Sequence, residues 1–399
     1  MNFKRKLWWA QHRADVYKYG TILSLVLIVT ISIIYFTYSK FSSSNEMTMY
    51  ETTVEPSIKN NDFIASYIDG EWSNEIPGKN DGYVVDKIVC DNGATGTWDN
   101  DEWGINIRNA TKKIKCGVYF KPNVAKQIVE LVASDTTNFA LDDPDNNIRY
   151  IGANPNNYVY FNCSDYNNQS DSTCEKWRII GVFKNMTKED GSKEDLVKII
   201  RDDSLGNIVW DSNDVNDWSK ASLQTTLNGE YYNGTYTTGA LKNDLTRNAI
   251  ESVVWNLGGT ASYTLASHFY GYERGTTVYS GHATTWIGRI ALMYPSDYGY
   301  ATSGNSTTDR ATCLSKELFI WDSASDCYSN DYLFNDRYIQ WTLAPYSSDY
   351  SNVFGVGTRV FFGTAEVSHS VRPVAFLKSN IFITNVGIGT AESPYQLKL

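Results

Sequence analysis

Apolar positions in this chain fall into short runs and alternating stretches, separated by Gly, Asn, Asp and Ser. Runs rich in β-branched and aromatic residues predict strands, and they occur at 83–90, 113–120, 158–163, 176–183, 196–202, 372–378 and 381–388. Apolar residues at helical spacing predict helices, and they occur at 123–140, 221–232 and 241–257. The almost wholly apolar residues 286–295 are expected to be buried. Helices that lie between an early and a late group of strands predict a mixed α+β fold class.

The most unusual apolar pattern lies at residues 346–371, which read YSSDYSNVFGVGTRVFFGTAEVSHSV. Valines recur there at intervals of three, four, seven and four residues, at Val353, Val356, Val360, Val367 and Val371. This spacing also suits one face of a helix, but three glycines and many β-branched and aromatic residues disfavour a helix. We therefore expect short strands and loops with the valines pointing inward. An amphipathic helix and an ordinary edge hairpin without a ligand remain alternatives.

An uncharged stretch covers residues 19–39 and is almost wholly aliphatic from 22 to 36. About 20 apolar residues cross a bilayer as a helix, so this stretch predicts a transmembrane anchor. The basic tail at 1–18 precedes it, which places the N-terminus in the cytoplasm and the rest of the chain outside the cell membrane. A cleaved signal peptide is the alternative, but the apolar core is long and no small-residue cleavage site follows it. Residues 40–80 are polar and are expected to form a stalk.

The formal net charge of −10 is unevenly distributed along the chain. Residues 1–39 carry five cationic side chains and one carboxylate, a balance of +4, which leaves −14 on residues 40–399. An acidic body disfavours nucleic-acid binding, because phosphate contacts need clustered Lys and Arg. The expected partners are therefore not nucleic acids, and the expected membrane contact is limited to the N-terminal helix.

All the cysteines lie beyond the predicted anchor, at Cys90, Cys116, Cys163, Cys174, Cys313 and Cys327. Oxidising compartments favour disulfides, so these residues support an extracellular location. Pairing in sequence order closes three short loops, and it is one of many connectivities that six cysteines allow. A bond between the first two cysteines would stabilise a small β unit at 81–121. A helical connector at 122–144 and a ligand-binding domain at 145–399 complete the predicted organisation.

The common catalytic and metal-binding signatures do not occur in the sequence. The four histidines are widely spread and have no ligand spacing, and the G-x-S-x-G elbow is missing. Residues 143–147 imitate the first half of a calcium loop, but Ile148 and Asn154 stand where the motif requires Gly and Glu. A looser Ca²⁺ site there, or at 99–102, is an alternative to a solvated acidic turn. We therefore predict no enzyme activity, no cofactor and no metal.

Residues 346–371 have the composition of an adaptable binding surface. Tyr, Ser, Gly and Asn build such surfaces, and aromatic and Arg side chains supply anchoring contacts. We predict that a protein or another surface ligand binds through Tyr346, Ser347, Ser348, Asp349, Tyr350, Ser351, Asn352, Phe354, Gly355, Gly357, Thr358, Arg359, Phe361, Phe362, Gly363, Thr364, Ala365, Ser368 and His369.

Several segments together resemble a known group of bacterial surface proteins. They are KWRIIGVF, ESVVWNL, WIGRIALMYPSDYGYA, the Cys313 and Cys327 pair, QWTLAP, and NVFGV followed by SVRPVAFLK. Over residues 145–399 the chain is similar to proteins with a C-type-lectin-like domain. The similarity is to the branch that includes formylglycine-generating enzymes and the variable proteins of diversity-generating retroelements. This resemblance implies a C-type-lectin-like fold, with hypervariable residues that precede a closing strand.

The retroelement resemblance also implies a restricted set of residue types. Such systems mutate adenines, often in Asn codons, and they reach most residue types but never Lys, Gln, Glu, Met or Trp. Residues 346–371 contain no Lys, Gln, Met or Trp, whereas Glu366 departs from the scheme. The lectin sugar-binding motifs and the catalytic cysteine pair of the enzymes have no counterpart here. The resemblance thus implies a membrane-anchored extracellular recognition protein with a diversified binding face. The alternatives are an enzyme of the formylglycine-generating group and a structural envelope protein without a variable site.

Overall fold

The computed structural model describes residues 63–111, 113–321, 327–334 and 338–399. Strands account for 35% of the structure and helices for only 15%. The predicted α+β fold class is therefore wrong, because the helices are much shorter than their apolar spacing suggested. Within the ranges just given, no helix combines the length and the apolar character that a membrane crossing requires. The predicted tail at 1–18, the anchor at 19–39 and the first part of the stalk lie outside these ranges.

The first compact unit comprises the described residues up to Gly78 and residues 85–120. Its strands are β1 (Phe63–Ile68), β2 (Glu71–Ser73), β3 (Tyr83–Cys90), β4 (Thr95–Asp99), β5 (Gly104–Arg108) and β6 (Lys115–Pro122). Four of them form a sheet in the order β2-β1-β6-β3, and β4 pairs with β5. The predicted disulfide between Cys90 and Cys116 is present. The end of the predicted stalk is corrected, because β1 pairs in parallel with β6 and so belongs to the sheet.

The second compact unit comprises residues 79–84 and 121–399. Its helices are α1 (Val124–Val132), α2 (Ser222–Thr226), α3 (Asp244–Asn248), α4 (Ala266–Glu273), α5 (Pro295–Ala301) and α6 (Arg310–Leu314). A π-helical turn at Leu227–Tyr231 continues α2, and short 3₁₀ turns occur at Trp218–Lys220 and Leu318–Ile320.

The strands of the second unit are short, apart from two long central ones. They are β7 (Phe139–Ala140), β8 (Ile148–Tyr150), β9 (Tyr158–Phe161), β10 (Glu175–Thr187), β11 (Lys193–Arg201), β12 (Asn207–Val209), β13 (Val253–Asn256), β14 (Thr285–Gly288), β15 (Ile290–Ala291), β16 (Gln340–Pro345), β17 (Asn352–Val356), β18 (Val360–Thr364), β19 (Ser368–Ser370), β20 (Val374–Leu377), β21 (Phe382–Ile383) and β22 (Leu397–Lys398).

Two sheets organise this unit. The larger one runs β15-β20-β11-β10-β8-β7, with β9 beside β10, and the second runs β12-β19-β16-β17-β18. The smaller pairs are β13 with β14 and β21 with β22. The predicted disulfides between Cys163 and Cys174 and between Cys313 and Cys327 are present. The second sheet places β17 and β18 at one edge, and these two strands carry the middle part of the predicted binding segment.

Two predicted helices end early. The helix at 123–140 begins after the N-cap Asn123, whose side chain accepts a hydrogen bond from the Lys126 N–H, and it ends at Val132. The helix at 241–257 covers only five residues in α3, and its last part instead forms β13. There Val253 pairs with Gly288 of β14. A strand partner thus overrides the helical spacing, because pairing satisfies the backbone of these buried residues.

A buried ionic network crosses the core of the second unit. The Asp297 carboxylate of α5 contacts both Lys198 of β11 and Arg149 of β8, the latter at 2.7 Å. Arg149 also pairs with Asp143 at 2.8 Å. The Lys198 ammonium lies among four aromatic rings, of which Tyr294 is 4.6 Å away. Buried charges persist in a core only when they are paired, so the network couples α5 to two strands of the larger sheet.

Candidate binding surface

The segment 346–371 forms a hairpin of β17 and β18, followed by β19. The two hairpin strands are antiparallel, and Phe354 lies opposite Phe362. The predicted strands are therefore present and the helical alternative is wrong. Four of the five valines are fully buried, as predicted. The exception is Val367, which is exposed because it lies in the turn between β18 and β19.

The pairing of β17 with β18 sorts their side chains onto two faces of the sheet. Phe354 and Phe362 share the inner face, whereas Gly355 and Phe361 share the outer face. A Cβ atom at Gly355 would lie 2.6 Å from the Phe361 ring, so only glycine leaves room for that ring. The Phe361 ring also lies 5.8 Å from the imidazole of His369. On the outer face the Phe361 ring therefore lies against Gly355 and meets the His369 imidazole edge to face.

Four half-buried rings form a continuous stack beside the hairpin. In order they are Phe319, Tyr263, Phe362 and Tyr346, with centroid separations of 4.2, 5.4 and 4.3 Å. The Arg359 guanidinium covers the free end of the stack, 4.3 Å from the Phe319 centroid. We call these five residues the aromatic row. Successive rings are inclined by 22° to 29°, so each ring limits the movement of its neighbours.

The loop at 346–352, which we call the tyrosine loop, is fixed from below. The buried Asn216 donates from its side-chain amide to the carbonyl oxygens of Tyr346, Asp349 and Asn352, at 3.2, 3.0 and 2.7 Å. The Asp349 carboxylate in turn accepts from the side chain and the backbone N–H of Asn352. Burial opposes ionisation of Asp349, but these hydrogen bonds lower the pKa of its carboxyl group below the usual value. The loop backbone is therefore held without help from its exposed side chains.

Tyr350 projects from the tyrosine loop and is 52% exposed. Its ring lies 6.1 Å from that of Tyr279, which is 37% exposed and comes from a distant loop. The Tyr279 ring lies 5.3 Å from the imidazole of His282. Burial lowers the pKa of His282, so this imidazole is neutral at pH 7. The result is an exposed pair of tyrosines backed by a neutral histidine.

The predicted binding residues fall into three groups by exposure. Those that are exposed are Ser348, Tyr350, Thr358 and Ser368. Those that are partly exposed are Tyr346, Ser347, Asp349, Asn352, Arg359, Phe361, Phe362, Gly363, Thr364 and His369. The remaining predicted residues are buried and are removed from the contact surface: Ser351, Phe354, Gly355, Gly357 and Ala365. They are covered by the core or by neighbouring segments, as Gly355 is by the Phe361 ring.

No family model, curated protein or solved structure matches this chain. A function must therefore be inferred from the geometry of the surface.

That geometry adds residues that the sequence did not indicate, namely Tyr263, Tyr279, His282, Phe319 and Asn216. They come from loops far from 346–371 in sequence, and no local motif marks them. Their role is visible only where stacking and hydrogen bonds join them to the hairpin.

In the acidic loop at 143–147, the carboxylates are bonded to other side chains of the protein. The Asp143 carboxylate pairs with Arg149 and accepts from Asn147, and Asp145 accepts a hydrogen bond from the Tyr270 hydroxyl at 2.6 Å. At 99–102, one carboxylate oxygen of Asp99 accepts two backbone N–H groups. Across the described part of the chain, no group of three or more His, Cys, Asp or Glu is arranged to hold a metal ion.

A small cavity of about 40 Å³ lies beside the buried ionic network, and Lys198, Arg274 and Tyr294 line it. Glu273, on the same helix as Tyr270, is fully buried next to this region. Burial raises the pKa of the Glu273 carboxyl to about 7, although Arg274 and a hydrogen bond from Ser296 oppose the rise. No residue of the hairpin lines the cavity. Its polar groups mainly pair with one another, which favours a structural role.

Proposed function

We propose that this protein binds an extracellular ligand through the aromatic row and the tyrosine loop. The observation that carries the proposal is a set of partly exposed aromatic rings whose positions are fixed before any ligand arrives. Stacking fixes the row, and Asn216 fixes the loop through main-chain oxygens. A preorganised surface loses little conformational entropy on binding. Tyr and Phe rings then supply large contact areas.

The three disulfides are compatible with an extracellular protein. The membrane anchor expected at 19–39 lies outside the described residues, and the proposal does not depend on it. All six cysteines are paired, so they lend no support to the enzyme alternative, which needs a free thiol or a bound metal.

The shape of the surface favours a macromolecular ligand. Sites for small molecules are concave, with volumes of roughly 300–1,000 Å³. The cavity beside Lys198 is about 40 Å³ and is lined by no hairpin residue. The aromatic row and the tyrosine loop instead spread their exposed atoms along the edge of a sheet. Such an arrangement suits the surface of another protein, where aromatic and Arg side chains often provide the strongest contacts.

A binding screen tests the proposal directly. The purified full-length chain would be screened against an array of extracellular proteins and glycans, and each hit would be measured again with Tyr350→Ala and Arg359→Ala. We expect losses of roughly fivefold or more, because central aromatic and Arg contacts are worth about 1 kcal/mol or more. Leu245→Ala is the matched control, since Leu245 is an exposed apolar residue on α3. Ligands whose affinity is unchanged by both Tyr350→Ala and Arg359→Ala would contradict the proposed binding surface.

The resemblance to retroelement variable proteins adds a second proposal, that the exposed positions of 346–371 are diversified. Deep sequencing of the gene within one population tests it. We expect changes at exposed and partly exposed positions such as Tyr350 and Thr358, and constancy at the buried Val353 and Phe354. An imperfect repeat of this coding region beside a reverse transcriptase gene would support the proposal. Changes spread evenly along the gene would refute it and favour the structural envelope alternative.

A further inference from the structure

Five carboxylates lie beside the tyrosine loop, and two of them, Asp211 and Asp217, are buried. The five come from three chain segments, and one ammonium group accompanies them. The carboxylates are Asp211, Asp214, Asp217, Asp349 and Glu366, and the cation is Lys220. Five carboxylates and one ammonium leave a net charge of −4 at this end of the surface. We call these five acidic residues the acidic rim.

Backbone hydrogen bonds hold the acidic rim against the tyrosine loop. The Asn216 N–H donates to the carbonyl oxygen of Tyr350 at 2.7 Å, and the Asp211 N–H donates to that of Ala365 at 3.0 Å. The Glu366 N–H donates to the Asp214 carboxylate at 3.3 Å. Residues 211–217 therefore lie directly beside the loop. The rim is a defined feature of this surface rather than a chance clustering in the sequence.

Two of the rim carboxyl groups have pKa values below the usual range. Burial opposes ionisation of Asp217, but hydrogen bonds from Lys220 and Ser219 lower the pKa of its carboxyl group below the usual value. The pKa of the Asp349 carboxyl is lowered in the same way by Asn352. Several rim oxygens are thus committed to internal partners. Glu366 is exposed and Asp214 is partly exposed, so these two carboxylates face an incoming partner most directly.

Two further features of this surface suit a cation. The rings of Tyr350 and Tyr279 are 52% and 37% exposed, and aromatic faces attract ammonium and guanidinium groups. Beneath them the Asn216 side chain is 2% exposed, and its amide oxygen has no hydrogen-bond partner. The three carbonyl acceptors around the amide nitrogen settle which atom is the oxygen. An acceptor left without a donor is costly, and because this oxygen is fully buried, water that accompanies the cation, rather than the cationic side chain itself, would supply the donor.

We propose that the acidic rim and the two tyrosines bind a Lys- or Arg-bearing segment of a partner protein. The cationic head group packs over Tyr350 or Tyr279 and pairs with Glu366 or Asp214. This inference rests on the proposed binding function and narrows its partner to a basic protein surface. It also fits the charge of −14 on residues 40–399, which draws basic partners toward the protein and repels anionic ones.

The test uses two fluorescein-labelled peptides of Gly and Ser, one carrying Lys and Arg and the other carrying Glu at the same positions. Fluorescence anisotropy with the purified full-length chain would measure binding of each at low and at physiological salt. We expect the cationic peptide alone to bind, and to bind more weakly as salt screens the charges. Asp214→Asn combined with Glu366→Gln should weaken binding roughly fivefold, since each exposed pair contributes modestly. Tyr350→Leu should weaken it by a similar factor through loss of the cation–π contact.

The variants are chosen so that the fold survives. Asn at 214 keeps the acceptor for the Glu366 N–H and tolerates the positive φ of 56° at that position. Glu392→Gln combined with Glu189→Gln is the charge-matched control, because both residues are exposed and lie outside the rim. Equal weakening by the control and by the rim variants would mean diffuse attraction and would overturn the inference. Failure of the cationic peptide to bind would also overturn it. A screened ligand that still depends on Tyr350 would then leave the broader binding function standing.

Discussion

Replacing Asp297 by Asn should destabilise the second unit more than any surface change. Asp297 accepts from Arg149 at 2.7 Å, from the Tyr294 N–H at 2.9 Å, and from Lys198. Asn keeps the volume and one acceptor but removes the charge. Arg149 retains Asp143, whereas Lys198 is left buried without a carboxylate. The perturbation is therefore the loss of one charge from a buried network.

The expected loss in the free energy of unfolding can be derived from the pKa shift of Asp297 and from the typical cost of breaking a buried ion pair. Burial raises the pKa of Asp297, but Lys198 and Arg149 outweigh this and lower it from 3.8 to about 2. That net shift corresponds to about 2 kcal/mol of the free energy of unfolding. Removing one partner of a buried pair typically costs about 3–5 kcal/mol, because the other charge stays uncompensated. We expect a loss of about 3 kcal/mol at pH 7. Since the pKa is lowered by folding, the Asp297 contribution is present above pH 3.8 and is lost as the pH falls through about 2.

Urea unfolding at pH 7 with the disulfides intact would measure the loss. Asp244→Asn is the matched control, because Asp244 pairs with Arg247 at 2.7 Å but is 86% exposed. The control should cost less than about 1 kcal/mol. If Asp297→Asn costs no more than the control, the buried network does not stabilise the fold. An unchanged denaturant slope would show that the two proteins unfold to comparable extents.

Three further predictions concern titration, loop order and packing. Because burial raises the pKa of Glu273 from 4.5 to about 7, its stabilising contribution is present below pH 4.5 and is lost as the pH rises through 7. Glu273→Gln should flatten the fall in urea midpoint between pH 4.5 and 8, and an unchanged fall would contradict the assignment. Asn216→Ala should speed amide hydrogen exchange across 346–352 by roughly tenfold while α1 exchanges as before, since it removes three donations to the loop. Gly355→Ala should displace the Phe361 ring and lower the melting temperature by several degrees, because the added Cβ would lie 2.6 Å from that ring; an unchanged melting temperature would show that the ring moves freely.

Local signals predicted the strands and the disulfides well. Runs such as 176–183 and 196–202 are rich in β-branched and other apolar residues, and they fall almost entirely within the two longest strands, β10 and β11. Cysteine pairing in sequence order joins residues close in the chain, where the loop to be closed is short. Helices were overpredicted. At 241–257 the apolar spacing suited a helix, but the partner of Val253 lies in β14 and is invisible to a local pattern.

Only part of the candidate binding surface could be predicted from the sequence. The residues of 346–371 were found through composition, yet composition could not separate Phe354, which is buried in the core, from Phe362, which stacks in the aromatic row. Both rings lie on the same face of the hairpin, so the difference follows from strand order: Phe354 is on β17 inside the sheet, whereas Phe362 is on the edge strand β18. Tyr263 and Phe319 were missed because their stacking partner on the hairpin is distant in sequence. Contacts between residues that are distant in sequence produce no local pattern of apolar positions, so a single sequence does not reveal them.

The Asn216 contacts have an evolutionary consequence. All three of its donated hydrogen bonds end on main-chain oxygens, which every amino acid carries. Asn216 therefore holds the backbone of the tyrosine loop whichever side chains are present at 347, 348 and 350. Mutations at these positions can change the side chains that the loop exposes while its path stays the same. A single asparagine, more than a hundred residues earlier in the chain, thus lets the side chains of the loop evolve while the backbone conformation of the loop is kept.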